Sequence, residues 1–192
     1  MSSLQEQKQA LRNRVLSDRK EMPEQDWRER SLAILRSLES TEFFKKADSV
    51  HTYVSMNQRR EVGTDQLIET LLESDKRVVV PVTNFSDHSL THIVLHSFGE
   101  LITNKWGVRE PEKEQDEVQP ENLDLIIVPM AAGDRKGNRL GYGQGFYDRF
   151  LEQTMGMKVG LVFSDFLFDK IPAEEFDVKL DVIITEEELI FL

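Results

Sequence analysis

The sequence predicts a three-layer α/β/α domain with a mostly parallel central sheet, a Rossmann-like arrangement. Five short runs rich in β-branched residues are apolar almost throughout, which is typical of strands covered on both faces. A helical pattern at 63–74, GTDQLIETLLES, separates the first two runs, and strand, helix, strand is the pattern of parallel α/β units. The five runs are SVHTYVS (49–55), RVVVPV (77–82), LDLIIVPM (123–130), KVGLVF (158–163) and LDVIIT (180–185).

Two helices are predicted before the first strand. Residues 2–20 are good helix formers with Leu4, Leu11 and Val15 on one side and charges on the other, so we expect an amphipathic surface helix. Pro23 followed by acidic residues suits the start of a second helix. Its apolar stripe consists of Trp27, Ile34, Leu35 and Leu38.

The remaining segments complete one predicted domain. Residues 90–98 alternate in polarity and predict an additional strand with one wetter face. The acidic stretch 110–122 carries two prolines and predicts a solvated loop across the surface. Because no repeat, linker or low-complexity stretch interrupts the chain, we expect residues 1–192 to form a single domain.

Composition excludes several classes of function. The net charge of -11 works against binding nucleic acid, because such affinity depends on lysines and arginines that displace counterions from phosphates. The chain has no cysteine, which excludes disulfides, thiolate catalysis and zinc-thiolate clusters. No apolar run is long enough for a signal peptide or a membrane span. We therefore expect a cytoplasmic protein that binds small molecules and acts on neither nucleic acid nor membrane.

A glycine-rich loop follows the third apolar run. Half of the ten glycines lie between Gly133 and Gly145. Glycine permits positive φ and close approach of a ligand, and a helix that begins near Gly143 would add an anion site at its N-terminus. The loop is expected at the carboxyl end of a buried strand, where ligands bind in open α/β sheets. Its glycine spacing matches neither a Walker loop nor a dinucleotide fingerprint, so a tight connection with no ligand is the alternative.

Charged residues near the loop favour a phosphate site. Arg139 can bind phosphate in bidentate fashion, and Asp148, in the first turn of the expected helix, can hold magnesium that bridges phosphate oxygens. Lys8 and Arg12 are four residues apart and share one helix face, which could bring two positive charges to a triphosphate. A merely solvated helix face is the alternative for this pair.

Two further residues suit an aromatic substrate. Glu61 follows a strand end and could accept hydrogen bonds from a ligand with paired donors, although an ordinary surface glutamate is the alternative. Trp106 suits either the core or a flat wall for an aromatic substrate, and we assign it neither role.

The loop and several other motifs identify a family. DRKGNRLGYGQGFYDRF (134–150), preceded by LDLIIVP, resembles the signature of 5-formyltetrahydrofolate cyclo-ligase, also called methenyltetrahydrofolate synthetase. KQALR (8–12), YVS (53–55), EVGT (61–64), WGVREP (106–111) and FDVKLDVIITEE (176–187) follow in the family's order, so the resemblance covers nearly the whole chain. The chain has Gln144 and Phe146 where many relatives have glycine and tyrosine, and Phe176 where a histidine is common.

The resemblance implies an ATP- and Mg²⁺-dependent conversion of 5-formyltetrahydrofolate to 5,10-methenyltetrahydrofolate, with release of ADP and phosphate. It implies catalytic roles for Arg139 and Asp148, and magnesium binding by Asp148 and Asp177. Folate contacts are implied at Met56, Glu61, Tyr142, Gly143, Gln144, Gly145 and Phe146. ATP contacts are implied at Lys8, Arg12, Arg139, Leu140, Gly141, Tyr142, Gly143, Gln144, Gly145, Phe146 and Tyr147.

Two other functions stay open at this point. The chain could be a non-catalytic module that binds nucleotide or folate, although the retention of Lys8 and Asp148 does not favour it. A sugar-phosphate isomerase on a similar scaffold would need a general base beside the sugar carbons, and the sequence offers no convincing one. We expect a monomer whose partners are ATP and 5-formyltetrahydrofolate.

Overall fold

The apolar runs of the sequence form the centre of a large sheet. The computed structural model describes residues 3–112, 116–174 and 177–192. Its strands are β1 (Ser49–Thr52), β2 (Arg77–Asn84), β3 (Ser89–Val94), β4 (Ile102–Thr103), β5 (Arg109–Glu110), β6 (Leu125–Val128), β7 (Ala132–Asp134), β8 (Arg139–Leu140), β9 (Met157–Leu161), β10 (Leu167–Phe168), β11 (Val182–Ile184) and β12 (Leu189–Phe191).

Helices flank this sheet. They are α1 (Leu4–Lys20), α2 (Glu24–Ser40), α3 (Glu42–Lys46), α4 (Asp65–Leu72) and α5 (Phe146–Glu152). α1 begins with a capping box, in which Ser3 Oγ accepts from the Glu6 N–H and the Glu6 carboxylate accepts from the Ser3 N–H. α2 starts directly after Pro23, as the sequence predicts.

The main sheet has the order β12-β11-β9-β6-β1-β2-β3 within the described chain. The five central strands, β11, β9, β6, β1 and β2, pair in parallel, whereas β12 and β3 pair antiparallel at the two edges. Every residue of β1, β6 and β11 is buried, so both faces of the sheet centre are covered. The predicted α/β/α fold with a mostly parallel sheet is confirmed.

The order of the sheet determines where a ligand site can form. β1 and β6 are neighbours, so the segments that follow them meet at one carboxyl edge. The segment after β1 contains Met56 and Glu61, and the one after β6 leads into the glycine-rich loop. α5 packs beside β3 and carries this loop at its N-terminus.

Three sequence expectations need correction. The buried face of α1 carries Lys8, Val15 and Arg19, so two of its charges point inward rather than to solvent. α5 begins at Phe146 rather than near Gly143, because Gly145 has a φ of 75° and precedes the helix as its N-cap. The stretch 110–122 is not solvated throughout, since Pro111, Val118 and Pro120 are buried and Glu117 bridges to Ile93 of β3.

The described chain has no helix that combines the length and the apolar character needed to cross a membrane. Phe176, which replaces a histidine common among relatives, lies outside the described residues.

Candidate active site

The glycine-rich loop is built on a buried aspartate. Asp134, at the end of β7, accepts hydrogen bonds from the N–H groups of Lys136, Asn138 and Ile171 and from the Asn138 side-chain amide. Burial raises the pKa of Asp134, but these hydrogen bonds outweigh it and hold the pKa below its ordinary value. An ionised Asp134 thus fixes the turn that brings β8 back beside β7.

Glycine is required where the loop approaches α1. Gly143 has a φ of 89°, and a Cβ atom there would lie 3.1 Å from the guanidinium carbon of Arg12. The Arg12 Nε–H donates to the Gly141 carbonyl at 2.8 Å. α1 therefore contacts the loop, and Arg12 lies against the loop backbone.

Arg139 places a buried positive charge at the loop. Its side chain is 5% exposed and forms an ion pair with Asp148, whose side chain is 59% exposed in the first turn of α5. Burial lowers the pKa of Arg139, whereas the charges of Asp148 and Asp177 raise it. Arg139 Nε and the buried Tyr147 hydroxyl have no hydrogen-bond partner within the described chain. Both groups belong to residues that line one cavity.

Lys8 is held by carboxylates from the far end of the chain. Its Nζ lies 3.0 Å from a Glu174 oxygen and 2.9 Å from an Asp177 oxygen, and its side chain is 11% exposed. Burial lowers the pKa of Lys8, but the hydrogen bonds to Asp177 and Glu174 outweigh it, so the net pKa is raised. The structure thus brings together Lys8 and Asp177, which the sequence separates by 169 positions.

The segment after β1 holds Glu61 inside the protein. A Glu61 carboxylate oxygen accepts from the Met56 N–H at 2.6 Å, and the Glu61 carbonyl accepts from the Trp27 indole N–H. Glu61 is only 5% exposed, so the alternative of an ordinary surface glutamate is wrong. Met56 and Glu61 form one contact, as expected of residues that share a binding site.

One cavity joins these elements. It has a volume of about 530 Å³ and is bounded by the segment after β1, the β2 end, the 106–108 turn and the glycine-rich loop. Its predicted site residues are Met56, Glu61, Arg139, Gly141, Tyr142, Gly143, Gln144, Gly145, Phe146, Tyr147 and Asp148. A cavity of this size is typical of small-molecule sites.

The cavity does not include every predicted residue. Lys8, Arg12 and Asp177 lie outside its lining, although Arg12 contacts the loop. Leu140 is a core residue that pairs with Ala132, so only its backbone is close to the loop.

An aromatic wall flanks the loop. The ring of Trp106 packs on Phe85 with centroids 3.8 Å apart, and Phe85 meets Phe146 edge-on at 5.6 Å. All three residues line the cavity, and Trp106 remains 47% exposed. The structure resolves the open choice for Trp106 in favour of a cavity wall.

The predicted metal ligands suit magnesium by their chemistry. Asp148 and Asp177 supply carboxylate oxygens, and Mg²⁺ is usually bound by one or two carboxylates together with substrate phosphates. In residues 3–112, 116–174 and 177–192, no group of three or more His, Cys, Asp or Glu could hold a metal alone. The donor set therefore fits a metal that arrives with a phosphate ligand.

Two residues near the site, Arg19 and Glu174, have no role in the prediction from sequence. Arg19 is buried, and its Nη2 donates to the Tyr142 hydroxyl at 2.8 Å. Glu174, together with Asp177, accepts a hydrogen bond from the Lys8 ammonium group. Arg19 lies on the stripe of Lys8 and Arg12, at intervals of 4 and 7 residues, and this basic stripe was the available signal. Glu174 has no sequence signal, because its contact with Lys8 spans 166 positions.

Comparison with known proteins places the chain in a family. The model of the 5-formyltetrahydrofolate cyclo-ligase family matches residues 4–186. The chain belongs to this family. Within the family, it is 37% identical to the 5-formyltetrahydrofolate cyclo-ligase of Escherichia coli (strain K12) over 134 residues, which cover 67% of this chain and 74% of that protein.

Two further relatives of the cyclo-ligase family cover nearly all of the chain. The enzyme of that name from Mycolicibacterium smegmatis is 32% identical over 185 residues, 93% of each protein. The solved structure of Aquifex aeolicus 5,10-methenyltetrahydrofolate synthetase is 33% identical, with a TM-score of 0.86 over 96% of this chain and 92% of that chain. The family recognised from the loop motif is confirmed.

Proposed function

We propose that this protein converts 5-formyltetrahydrofolate to 5,10-methenyltetrahydrofolate, with ATP as co-substrate and with ADP and phosphate as products. The observation that carries this proposal is that two sets of residues line one cavity. The glycine-rich loop with buried Arg139 forms one wall, and buried Glu61 with Met56 forms the other. A cyclo-ligase must hold a phosphate donor and a folate side by side, and these walls offer chemistry for each.

The reaction needs correct placement more than covalent help from the protein. The formyl oxygen attacks the γ-phosphorus of ATP, and ADP leaves. The anilino nitrogen of the folate then attacks the activated formyl carbon and loses its proton, and the phosphate departs. The substrate supplies both nucleophiles, so the protein contributes positioning and neutralisation of charge.

The loop residues suit the phosphate wall. Arg139 carries a positive charge in a water-poor position, where it stabilises charge that develops on a transferred phosphoryl group. Arg139 Nε and the Tyr147 hydroxyl are donors with no acceptor among the described residues, and phosphate oxygens are acceptors. Arg12 adds a positive charge at the Gly141–Gly143 backbone. Bound magnesium would neutralise phosphate charge and polarise the γ-phosphate.

The cations and carboxylates of the site neutralise each other without ligand. Arg139 pairs with Asp148, and Lys8 pairs with Asp177 and Glu174. We propose that ATP phosphates take over Arg139 and Lys8, which frees Asp148 and Asp177 for magnesium. ATP leaves the two carboxylates free for Mg²⁺, and Mg²⁺ on the carboxylates leaves Arg139 and Lys8 free for ATP. The two ligands should therefore bind cooperatively.

Glu61 and the aromatic wall suit the folate. A carboxylate that is held in place accepts the paired N–H donors of an amino-pyrimidine edge. Trp106 and Phe146 offer ring faces to the flat parts of the substrate. The resemblance assigns Tyr142, Gly143, Gln144 and Gly145 to both substrates, and this assignment is supported by their place in the same cavity lining as Arg139 and Glu61.

We also propose that residues 1–192 act as one domain, a cytoplasmic monomer whose partners are small molecules rather than nucleic acid or membrane. A continuous apolar core from Val15 to Ile184 supports the single domain. The net charge of -11 argues against nucleic-acid binding.

The test is a turnover assay with purified protein, ATP, Mg²⁺ and 5-formyltetrahydrofolate. We expect absorbance of methenyltetrahydrofolate to grow, with one ADP formed per product, and no signal when ATP is left out. Folded protein that binds both ligands without turnover would instead support a non-catalytic module. Absence of turnover would refute the proposed activity.

A further inference from the structure

Arg19 is a buried cation for which the proposed reaction has no use. It lies in the last turn of α1 and is 2% exposed. Its Nε donates to the Arg59 carbonyl at 2.8 Å, and its Nη1 donates to the Met130 carbonyl at 3.5 Å. Its Nη2 donates to the Tyr142 hydroxyl at 2.8 Å. Within the described ranges, no carboxylate forms an ion pair with it. The transfer of a guanidinium from water to the protein interior costs free energy, and a compensating charge nearby is needed to offset it.

The direction of one hydrogen bond links Arg19 to that charge. An arginine side chain only donates, so the Tyr142 oxygen accepts from Arg19 and its own hydrogen points elsewhere. The Tyr142 and Glu61 side chains line the same cavity, and burial together with the charge of Glu61 raises the pKa of the Tyr142 hydroxyl. Arg19, Tyr142 and Glu61 thus form a chain with a cation at one end and an anion at the other.

This chain determines how Glu61 faces the cavity. The carboxylate accepts a hydrogen bond from the Met56 N–H at 2.6 Å, and the Tyr142 hydroxyl lies near it in the lining of the same cavity. An ionised carboxylate has about four acceptor positions, so some remain for a ligand. With the Met56 N–H holding the carboxylate and the Tyr142 hydroxyl beside it, Glu61 has little freedom to rotate, and a carboxylate that is already oriented loses less entropy on binding.

Arg19 also anchors the backbone that carries Glu61. The Arg59 carbonyl that it holds belongs to a short turn, where Arg60 has a left-handed φ of 51°. Arg19 therefore joins α1, the glycine-rich loop and the 56–61 segment at one point behind the cavity.

We propose that Arg19 is a positioning residue for folate recognition: it directs the Tyr142 hydroxyl at Glu61 and thereby holds the carboxylate ready for the paired N–H donors of the pterin. This inference rests on the proposed function, since it concerns the folate wall of that site. It assigns Arg19 no direct contact with either substrate.

The test compares Tyr142→Phe, Arg19→Lys, Arg19→Met and the double variant, with KM measured for 5-formyltetrahydrofolate and for ATP. Arg14→Met is the matched control, because Arg14 lies on the same helix with its side chain 71% exposed. Tyr142→Phe removes only the hydroxyl. Arg19→Lys keeps the charge, but its single nitrogen cannot reach the three separate acceptors that the three guanidinium nitrogens contact.

We expect Tyr142→Phe and Arg19→Met each to raise the KM for folate about tenfold, the effect of losing one hydrogen bond to a charged group. The KM for ATP should change less than twofold, and Arg19→Lys should give an intermediate result. The double variant should be no worse than Arg19→Met, since both changes break the same chain. Arg14→Met should match the wild type.

Two results would overturn the assignment. One is an equal rise of both KM values, which would indicate a general structural role. The other is an unchanged folate KM in folded Tyr142→Phe, and this variant decides the matter if Arg19→Met does not fold. Wild-type turnover is measured first, so that failure of the proposed function is distinguished from failure of the Arg19 assignment.

Discussion

Asp148 has two consecutive roles as a single side chain in the proposed site. Without ligand it is the counter-charge of buried Arg139, and we propose that it becomes a ligand of magnesium when ATP binds. As the counter-charge, Asp148 lowers the free-energy cost of burying Arg139. Once phosphate has replaced Asp148 at Arg139, the carboxylate is available to magnesium. Lys8 and Asp177 form a second pair of this kind.

Asp148→Asn separates the two roles. We expect kcat to fall on the order of a hundredfold, because stabilisation of the transferred phosphate is lost. The affinity for folate should stay within about threefold, since the folate contacts proposed at Met56 and Glu61 do not involve Asp148. Metal-free ATP should bind more tightly than to the wild type, because Arg139 is no longer paired. Calorimetry with and without a chelator measures these affinities.

Glu152→Gln is the control for this substitution. It removes the same charge from the exposed C-terminal end of α5 and should leave all three quantities unchanged. Equal losses of turnover and folate affinity in Asp148→Asn would contradict a role of Asp148 at the phosphate.

At the scale of elements, the loop and α1 fit together through backbone shape. Arg12 can approach the loop because Gly143 has no side chain and adopts a φ of 89°. Gly143→Ala should lower the free energy of unfolding by about 1–2 kcal/mol, the cost of a positive φ in a residue with a Cβ. The new methyl group also displaces Arg12, so we expect the KM for ATP to rise severalfold.

Gly107→Ala separates these two effects. Gly107 has a φ of 80°, but nothing lies within 4 Å of a Cβ built there. Chemical denaturation should show a similar loss of stability in both variants, and only Gly143→Ala should change the KM for ATP. If both variants raise that KM equally, displacement of Arg12 is not the cause.

The sequence predicts elements better than it predicts the partners of charged residues. The continuous β-branched runs predict the five parallel strands, because such runs need cover on both faces. β12 has no comparable signal, since Leu189–Phe191 is short and partly exposed. The sequence predicts that α5 starts near Gly143, but it starts at Phe146. Sequence does not distinguish Gly143 from Gly145, and only their backbone angles show that both precede the helix.

The same limit applies to the candidate site. Arg139 and Asp148 are nine positions apart, so their pairing follows from the local strand-to-helix turn. The inward direction of Lys8 and Arg19 could not be predicted, because helix periodicity assigns charges to solvent unless their distant partners are known. Those partners, Asp177 and Tyr142, come from parts of the chain that only the fold brings to α1.

At the scale of the whole molecule, the sheet unites the site and the core. β1 carries His51 inside the sheet and continues into the segment that holds Glu61. His92 of β3 lies with its Nδ1 3.2 Å from His51 Nε2, and Phe150 of α5 packs on both rings, at 4.7 Å and 4.1 Å. Two histidines therefore lie beneath the helix that begins at the glycine-rich loop.

This buried pair makes stability depend on pH. Burial lowers the pKa of His92 to about 4 and, together with the neighbouring His92, lowers the pKa of His51 well below its usual value. In the unfolded chain a histidine binds its proton near pH 6.5. Between these values the unfolded state holds more protons than the folded state, so the free energy of unfolding falls as pH falls.

We predict that His92→Asn flattens this dependence. Each histidine contributes up to about 1.4 kcal/mol per pH unit, and the variant removes one of these contributions between about pH 6 and pH 4.5. Urea unfolding at several pH values measures the slope of the free energy of unfolding against pH. This slope does not depend on the absolute stability, which the substitution also changes. His96→Asn is the control, because the side chain of His96 is 61% exposed and should leave the slope unchanged. A wild-type slope in His92→Asn would mean that the buried pair accepts protons without unfolding.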